Sequence, residues 1–238
     1  MTDRRTQLAE NLAQVEERIA SACASAGRER EDVTLIVVTK TYPASDVRIL
    51  YELGVRQVAE NRDQDAAPKA AACADLSLTW HFVGQLQTNK VRSVAGYAGV
   101  VQSVDRVKLV TALSAAVRGG RELGCLIQVA LDAESGERGD RGGVAPDAIE
   151  ELAASVEEAE GLRLDGLMTV APLAGPYAGR QRAAFDRLVE FSSRLRGNHP
   201  AANMVSAGMS ADLEDAIAAG ATHVRVGTAV LGVRPRLG

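Results

Sequence analysis

Short apolar runs alternate with amphipathic segments along most of the chain. The runs predict eight β-strands, at residues 33–38, 55–59, 80–83, 100–102, 125–130, 164–168, 202–205 and 223–226. Within the runs the apolar residues are nearly continuous, which is typical of parallel strands covered on both faces. Eight βα units that close on themselves predict an α/β fold of the (β/α)8 TIM barrel type. An open doubly wound sheet is the second possibility.

A leading helix is predicted by apolar residues that recur at helical spacing near the amino terminus, namely Leu8, Leu12, Val15 and Ile19. This helix is expected to cover residues 6–26 and to end at Gly27. No Pro-rich or Ser-rich linker divides the chain that follows. The sequence therefore predicts a single domain over residues 1–238, a barrel preceded by one helix.

Serine and glycine mark the ends of two further predicted helices. Ser45 precedes the helical pattern of residues 46–53, and Gly54 follows it. Ser210 and Gly220 flank residues 211–219 in the same way. The one glycine-dense segment, residues 136–143, is predicted to be a long loop after the fifth strand.

Composition limits the class of protein. The length of 238 residues is near the roughly 250 that such a barrel needs, and 46% hydrophobic with 3% aromatic residues suits helices packed closely on a sheet. The net charge is −4 and the basic residues are dispersed, so we expect no nucleic-acid binding. Cys23, Cys73 and Cys125 lack the spacing of a zinc site or a disulfide framework. Without a signal peptide or a membrane-spanning stretch, we expect a cytoplasmic protein with free thiols.

Lys40 is the strongest candidate for covalent chemistry, because it directly follows the first apolar run. A lysine at the carboxyl end of a buried strand can be partly desolvated by the barrel around it. Desolvation favours the neutral amine, which attacks an aldehyde. On this feature alone, a lysine that simply reaches solvent is the commoner case. The rest of the chain reverses this balance in favour of a functional lysine.

Carboxyl ends of strands form the working face of such a barrel. The residues expected there are mostly small or hydroxylated, and they are Lys40, Asn61, Gly84, Ser103, Thr169, Ser206, Gly227 and Thr228. The segment from Ser206 to Ser210 follows strand seven and precedes a helix, and Gly227 and Thr228 follow strand eight. Barrels often bind phosphate at this place, through backbone N–H groups at a helix start. The alternative is that Ser210 only caps a helix and Gly227 only makes a turn.

Arg225 lies two residues before Gly227 in a predicted strand, so both residues face the same side of the sheet. In a barrel that side can be the interior. A buried arginine needs a partner, and one such partner would be the ring nitrogen of a bound cofactor. The other possibilities are a carboxylate partner or an outward position between helices.

The three histidines receive no catalytic role. His81 lies between two aromatic residues in a strand and is as consistent with a hydrogen-bonded core residue as with a functional one. His199 and His223 have no neighbours that indicate a triad or a metal site. The chain also lacks the P-loop, the dinucleotide-binding glycine motif, the nucleophile elbow and the zinc-protease motif.

Several ordered motifs are spread over nearly the whole chain. They are Val38-Thr39-Lys40-Thr41 with Pro43, Gly54 with Glu60-Asn61, residues 80–90 (Trp-His-Phe-Val-Gly-Gln-Leu-Gln-Thr-Asn-Lys), residues 103–106, Gly166-Leu167-Met168, residues 208–214 and residues 224–228. In this order the chain resembles the pyridoxal 5′-phosphate (PLP) homeostasis proteins, also called the YggS or PROSC family.

The resemblance implies a single barrel like the amino-terminal domain of alanine racemase (PLP fold type III), which carries PLP as an imine. It implies a set of cofactor-binding residues: Lys40 as the imine lysine, Ser206 or Ser210 with Gly227 and Thr228 at the phosphate, Arg225 at the pyridine nitrogen, and Asn61 beside the ring. It assigns no catalytic residue. Family members are thought to bind, buffer and deliver PLP without established turnover, so the resemblance implies a carrier.

The chain departs from the family pattern at the rim of the site. Tyr42 stands where the family commonly has lysine, and Arg62 where it commonly has an aromatic residue. In the loop of residues 132–145, two Arg-Gly pairs, Arg138-Gly139 and Arg141-Gly142, compete for the place of the family's Lys-x-Gly. No role is assigned to this loop.

A carrier is also favoured by the expected place of Arg225, because a cation at the pyridine nitrogen disfavours its protonation and weakens the ring as an electron sink. Racemases of this barrel type add a second domain that supplies another acid/base group, which we do not expect here. The alternatives are a PLP-dependent racemase or lyase acting on small amino acids, a class I aldolase that uses Lys40 without a cofactor, and a protein that hands PLP to apo-enzymes by contact. Nothing in the sequence indicates a dimerisation segment, so we expect a monomer.

Overall fold

A closed barrel of eight parallel strands forms the centre of the computed structural model, which describes residues 3–135 and 142–232. The strands are β1 (Thr34–Val38), β2 (Gln57–Glu60), β3 (Thr79–Phe82), β4 (Val100–Val104), β5 (Leu123–Gln128), β6 (Leu162–Met168), β7 (Met204–Ser206) and β8 (His223–Val226). Each strand pairs with the next, and β8 pairs with β1 from Thr34 opposite His223 onward. The predicted barrel is confirmed, and the open doubly wound sheet is wrong because β8 closes onto β1.

One helix follows every strand, and another precedes the first. The helices are α1 (Arg4–Ser25), α2 (Ala44–Glu52), α3 (Asp63–Ala72), α4 (Val91–Tyr97), α5 (Val107–Ala116), α6 (Ile149–Glu157), α7 (Gln181–Asn198), α8 (Leu213–Ala219) and α9 (Thr228–Leu231). The short helix α9 was not predicted from the sequence, because four residues are too few to show a helical period. It places its first turn directly after β8, at the working face.

Helix α1 packs on α2, α8 and α9, and so covers the side of the barrel where β8 meets β1. Its four periodic apolar residues are buried as predicted, namely Leu8, Leu12, Val15 and Ile19. The helix ends before Gly27, which has φ +65° and so adopts the left-handed conformation that glycine favours.

Two predicted helix starts are wrong. Helix α2 begins at Ala44 directly after Pro43, whose extended backbone precedes the first turn, so Ser45 lies inside the helix. Helix α8 begins at Leu213, and the carboxylate of Asp212 accepts a hydrogen bond from the backbone N–H of Met209 at 2.6 Å. Ser210 therefore does not cap α8.

Apolar layers between the helices and the outer barrel face form most of the core. The barrel interior combines a small apolar layer, Val100, Leu126 and Met168, with buried polar side chains that include His81, Gln102, Ser206 and Arg225. These polar residues lie on β3, β4, β7 and β8. Buried polar groups need partners, so the interior of the barrel is where a functional network is expected.

The three cysteines are buried and free. Burial raises the pKa of the Cys125 thiol to about 12, which keeps it protonated and unreactive. Within residues 3–135 and 142–232, no helix is long and apolar enough to cross a bilayer, and no three His, Cys, Asp or Glu residues gather where a metal could bind.

The predicted glycine-rich loop after β5 is only partly described. Residues 136–141, which include Arg138, Gly139 and Arg141, lie outside the described residues. Beyond them the chain returns to β5, where the backbone N–H of Val144 donates to the carbonyl of Gln128 at 2.8 Å. This places Gly142 and Gly143 beside the end of β5.

Candidate functional site

A cavity of about 340 Å³ opens at the carboxyl ends of β1 and β8. It is lined by Val38, Lys40, Thr41, Tyr42, Met209, Ser210, Ala211, Arg225, Gly227, Thr228 and Gly232. The structure thus brings together five predicted site residues, Lys40, Ser210, Arg225, Gly227 and Thr228. The other two, Asn61 and Ser206, are not among the lining residues. The volume is within the roughly 300–1,000 Å³ of small-molecule sites.

Lys40 lies in a turn after β1, and its side chain is exposed at the mouth of the cavity. The partial desolvation expected for this lysine is not seen, because Lys40 lies two residues beyond the end of β1 and is exposed. The next residue, Thr41, has φ +69°, the one positive φ outside glycine among the described residues. For a β-branched residue this conformation costs roughly 1–3 kcal/mol, so the surrounding contacts must hold the turn.

Unused backbone donors lie on the side of the cavity formed by the turns after β7 and β8. Within the described residues, the N–H groups of Ser210, Ala211 and Thr228 have no hydrogen-bond acceptor in the protein. The hydroxyl of Ser210 accepts a hydrogen bond from the N–H of Ala229 at 3.3 Å, which leaves its own proton free to be donated. A set of unused donors of this kind suits an anion.

Gly227 allows the turn after β8 to approach β1 closely. A Cβ at this position would lie 3.2 Å from the carbonyl oxygen of Val38 and 3.4 Å from its Cβ. These contacts are tight, so a larger residue would have to push β1 and β8 apart at the cavity.

Arg225 is buried in the barrel interior, so the outward position between helices is wrong, and it also lines the cavity. Its Nη1 donates to the hydroxyl of Ser206 at 2.7 Å, and its Nη2 donates to the carbonyl of Thr169 at 2.8 Å. Burial lowers the pKa of Arg225 to about 10, an effect that the charge of Asp212 partly opposes. The guanidinium stays protonated at neutral pH, and the carboxylate-paired alternative is wrong for the part of the chain described here.

A chain of hydrogen bonds leads from Arg225 across the barrel. Ser206 donates to Oε1 of Gln102 at 2.7 Å, and Nε2 of Gln102 donates to Nδ1 of His81 at 2.9 Å. Nε2 of His81 lies 2.7 Å from Oε1 of Gln57, so the imidazole proton is on Nε2. Burial, together with the charges of His223 and Arg225, lowers the pKa of His81 to about 3. His81 is therefore a neutral, hydrogen-bonded core residue, which is one of the two possibilities that the sequence left open.

This network was not predicted from the sequence. The signal for it was available, because Gln57 and Gln102 are polar residues inside otherwise apolar strands. Ser206 was expected either to hold a phosphate or to leave that role to Ser210. In the structure its hydroxyl is already bound to Arg225 and Gln102.

Asn61 and Gly84 lie side by side where β2 and β3 end. A Cβ added to Gly84 would lie 2.0 Å from the carbonyl oxygen of Asn61, so only glycine permits this approach. Ser103 was expected at a strand end, but it lies inside β4 because that strand continues to Val104. Thr169 does follow β6, where its hydroxyl donates to the carbonyl of Val129 at 2.9 Å.

The remaining histidines lie away from the cavity. His199 follows α7, with Nδ1 2.9 Å from the carboxylate of Glu157. His223 begins β8, with Nδ1 2.8 Å from the hydroxyl of Thr222, and burial lowers its pKa to about 4. Both histidines contact neighbouring polar side chains, and neither lines the cavity.

Comparison with known proteins agrees with this arrangement. The model of the alanine racemase amino-terminal domain family matches residues 7–235. The pyridoxal phosphate homeostasis protein of Mycobacterium tuberculosis is 43% identical over an alignment of 249 positions. The alignment covers 98% of this chain and 95% of that protein. This chain belongs to the pyridoxal phosphate homeostasis protein family.

Two solved structures superpose on this chain over nearly its whole length. PipY of Synechococcus elongatus, solved with PLP bound, is 32% identical and superposes with a TM-score of 0.79 over 94% of this chain and 100% of that one. Alanine racemase of Corynebacterium glutamicum is 15% identical with a TM-score of 0.64, over 98% of this chain and 62% of that one, and shows the fold alone. The family resemblance in the motifs is confirmed.

Proposed function

We propose that this protein binds PLP in the cavity at the ends of β1 and β8 and takes part in PLP homeostasis. The observation that carries the proposal is that Lys40, three unused backbone N–H donors and the cation of Arg225 line one cavity. An aldehyde, a phosphate and a ring nitrogen are the three groups of PLP that such a set can engage. The family's name and the PLP-bound structure of PipY support the same conclusion.

Lys40 is proposed to hold the cofactor covalently. Its amine nitrogen would bond to the aldehyde carbon of PLP, and water would leave as the imine forms. The side chain is exposed at the mouth of the cavity, so an incoming aldehyde can reach it. The cofactor, when bound, supplies a conjugated ring that can withdraw electrons from an attached amine.

Ser210, Gly227 and Thr228 are proposed to bind the phosphate. The N–H groups of Ser210 and Thr228 are unused within the described residues, and Gly227 keeps the turn close to β1. The hydroxyl of Ser206 has two partners already, so we assign Ser206 the task of holding Arg225. Asn61 is kept as a proposed residue beside the ring, although it does not line the cavity in its present shape.

Arg225 is proposed to face the pyridine nitrogen. A protonated guanidinium there would donate a hydrogen bond to the nitrogen and oppose its protonation. The ring would then be a weak electron sink, which favours holding and releasing PLP over amino-acid chemistry. On this basis we propose a cytoplasmic, monomeric PLP carrier that supplies apo-enzymes and has no catalytic residue.

Absorption spectroscopy with lysine mapping tests the proposal. Purified protein is titrated with PLP, reduced with borohydride and digested for mass mapping. The chain has four lysines, Lys40, Lys69, Lys90 and Lys108, so the adduct can be located without ambiguity. We expect an imine band and one adduct on the Lys40 peptide.

Two variants complete this test. Lys40→Met should lose the band, and Lys108→Met, at an exposed position on α5, should keep it. The absence of a band in the wild-type protein, or an adduct spread over several lysines, would refute the proposal and favour an aldolase-like barrel without cofactor.

A PLP-dependent racemase or lyase for small amino acids remains the alternative function, because the matching family model is that of the alanine racemase barrel. The discriminating measurement is exchange of the α-proton of L- and D-alanine in D2O, followed by NMR. Exchange that requires both PLP and Lys40 would establish the enzyme. We expect no exchange above that of free PLP, because Arg225 opposes protonation of the ring.

A further inference from the structure

A buried ion pair lies directly behind the turn that carries Lys40. Nζ of Lys69, on α3, is 2.5 Å from Oε1 of Glu60, the last residue of β2. The Lys69 side chain is 7% exposed and that of Glu60 is 0% exposed. Taking both charges out of water costs several kcal/mol per ion before their attraction is counted. Stability alone is therefore a weak explanation for this pair.

Both charged groups of the pair bind Thr39, the residue before Lys40. The hydroxyl of Thr39 donates to Oε1 of Glu60 at 2.5 Å, and Lys69 donates to the carbonyl of Thr39 at 2.8 Å. The N–H of Thr39 is also occupied, because it donates to the carbonyl of Ala59 at 2.9 Å. Every polar atom of Thr39 is thus fixed.

The same carbonyl of Thr39 closes the turn around Lys40. It accepts a hydrogen bond from the N–H of Tyr42 at 3.1 Å in addition to that from Lys69. Between these two residues lie Lys40 and Thr41, whose φ of +69° is unfavourable for threonine. A strained turn persists only where its surroundings fix it, and here the fixed point is Thr39.

We infer that Lys69 and Glu60 are positioning residues for Lys40, which hold the start of its turn so that the amine faces the aldehyde of bound PLP. This inference rests on the proposed function, because it assumes that Lys40 forms the imine. The same contacts explain why Lys40, and not Lys69, is the lysine that can react with PLP. Lys69 is buried and bound to a carboxylate and a carbonyl, whereas Lys40 is exposed and reaches the cavity.

The test compares two ligands that differ only at the reacting carbon. PLP carries an aldehyde and forms an imine, whereas pyridoxamine 5′-phosphate carries an amine there and binds without a bond to lysine. Lys69→Met removes one charge and both hydrogen bonds of Lys69 while keeping an apolar chain of similar length. We expect its affinity for PLP to fall at least about tenfold, with affinity for pyridoxamine 5′-phosphate within about twofold of wild type.

A second variant guards against misfolding caused by the unpaired Glu60. Glu60→Met combined with Lys69→Met removes both charges together, which buried sites often tolerate. It should show the same selective loss of PLP affinity, because Thr39 loses its anchors in both variants. Lys108→Met is the matched control and should bind both ligands as wild type does.

The two possible failures are distinguishable. If either variant binds PLP as tightly as wild type, or loses affinity for both ligands equally, the positioning role is overturned and the pair is only structural. If wild-type protein forms no imine band at all, the proposed function fails and this inference fails with it.

Discussion

Nη1 of Arg225 donates a hydrogen bond to the hydroxyl oxygen of Ser206 over 2.7 Å, inside the barrel and behind the cavity. Because Ser206 in turn donates to Gln102, its hydroxyl has no proton left for a ligand. The two serines that the sequence offered for the phosphate are therefore distinguishable. Ser210 lines the cavity, and Ser206 supports Arg225.

Ser210→Ala should weaken binding of the phosphate specifically. A hydrogen bond to a charged group contributes roughly 1.5–3 kcal/mol, so affinity for PLP should fall by about tenfold or more. Affinity for pyridoxal, which lacks the phosphate, should be unchanged. Titrations followed by imine absorption measure both constants, and an equal loss for both ligands would argue against a phosphate contact.

Ser206→Ala should act on the fold and on both ligands alike. It leaves Nη1 of Arg225 and Oε1 of Gln102 without their partner in a buried place, which costs roughly 1–3 kcal/mol of the free energy of unfolding. Urea denaturation measures this loss. A selective loss of PLP over pyridoxal in this variant would return the phosphate role to Ser206.

The barrel could be predicted from the sequence because its determinants are local. Continuous apolar runs separated by helical patterns predict parallel strands, and residues at the ends of those strands meet at one face of the barrel. Lys40, Ser210, Arg225, Gly227 and Thr228 were found in this way, and all five line the cavity. The start of α8 was misplaced because the chain after Ser210 forms a turn, in which Asp212 accepts a hydrogen bond from the N–H of Met209, before the helix begins at Leu213.

The support of the site could not be predicted in the same way. Ser206 and Gln102 are 104 residues apart, and their hydrogen bond depends on barrel closure and not on any local pattern. Lys69 lies on an outer helix, where a lysine is normally solvated, yet it is buried against Glu60. Both contacts join residues of different elements, so they can be identified only from the three-dimensional structure.

His81 should make stability depend on pH between 8 and 5. Its pKa is lowered to about 3 in the folded protein, against an ordinary value of about 6.5 when unfolded. The stabilisation is fully present above pH 6.5 and is lost as the pH falls, because only the unfolded chain takes up the proton. By linkage the loss from pH 8 to pH 5 is about 2 kcal/mol.

The measurement is urea denaturation of wild type and His81→Gln at pH 8 and pH 5. His223 titrates in the same direction in both proteins, so the difference between them isolates His81. The variant should lose about 2 kcal/mol less than wild type over this interval. Equal losses would mean that His81 is not held neutral by the barrel.

Tyr42 joins two sides of the cavity rim. Its hydroxyl donates to the carbonyl of Gly232 at 2.6 Å, and the guanidinium of Arg4 lies 5.4 Å from its ring centre. Tyr42→Phe removes one hydrogen bond worth roughly 1 kcal/mol and should speed the release of PLP about fivefold. Decay of the imine band after adding a phosphatase that destroys free PLP measures this rate.

A tyrosine outside the cavity provides the control. Tyr51 stacks against Arg56 at 4.1 Å on the surface, and Tyr51→Phe should release PLP at the wild-type rate. If Tyr42→Phe also releases PLP at that rate, the contact with Gly232 does not restrain the rim.

Gly84→Ala should be strongly destabilising although it adds only one methyl group. That group would lie 2.0 Å from the carbonyl oxygen of Asn61, so the ends of β2 and β3 would have to separate, at about 3 kcal/mol of the free energy of unfolding. Gly96→Ala is the matched control, because the position is inside α4 with nothing within 4 Å, and alanine there should stabilise by up to about 1 kcal/mol. Urea denaturation of both variants gives the comparison. If Gly84→Ala is as stable as wild type, Asn61 is not held against β3, and its proposed place beside the ring loses its structural basis.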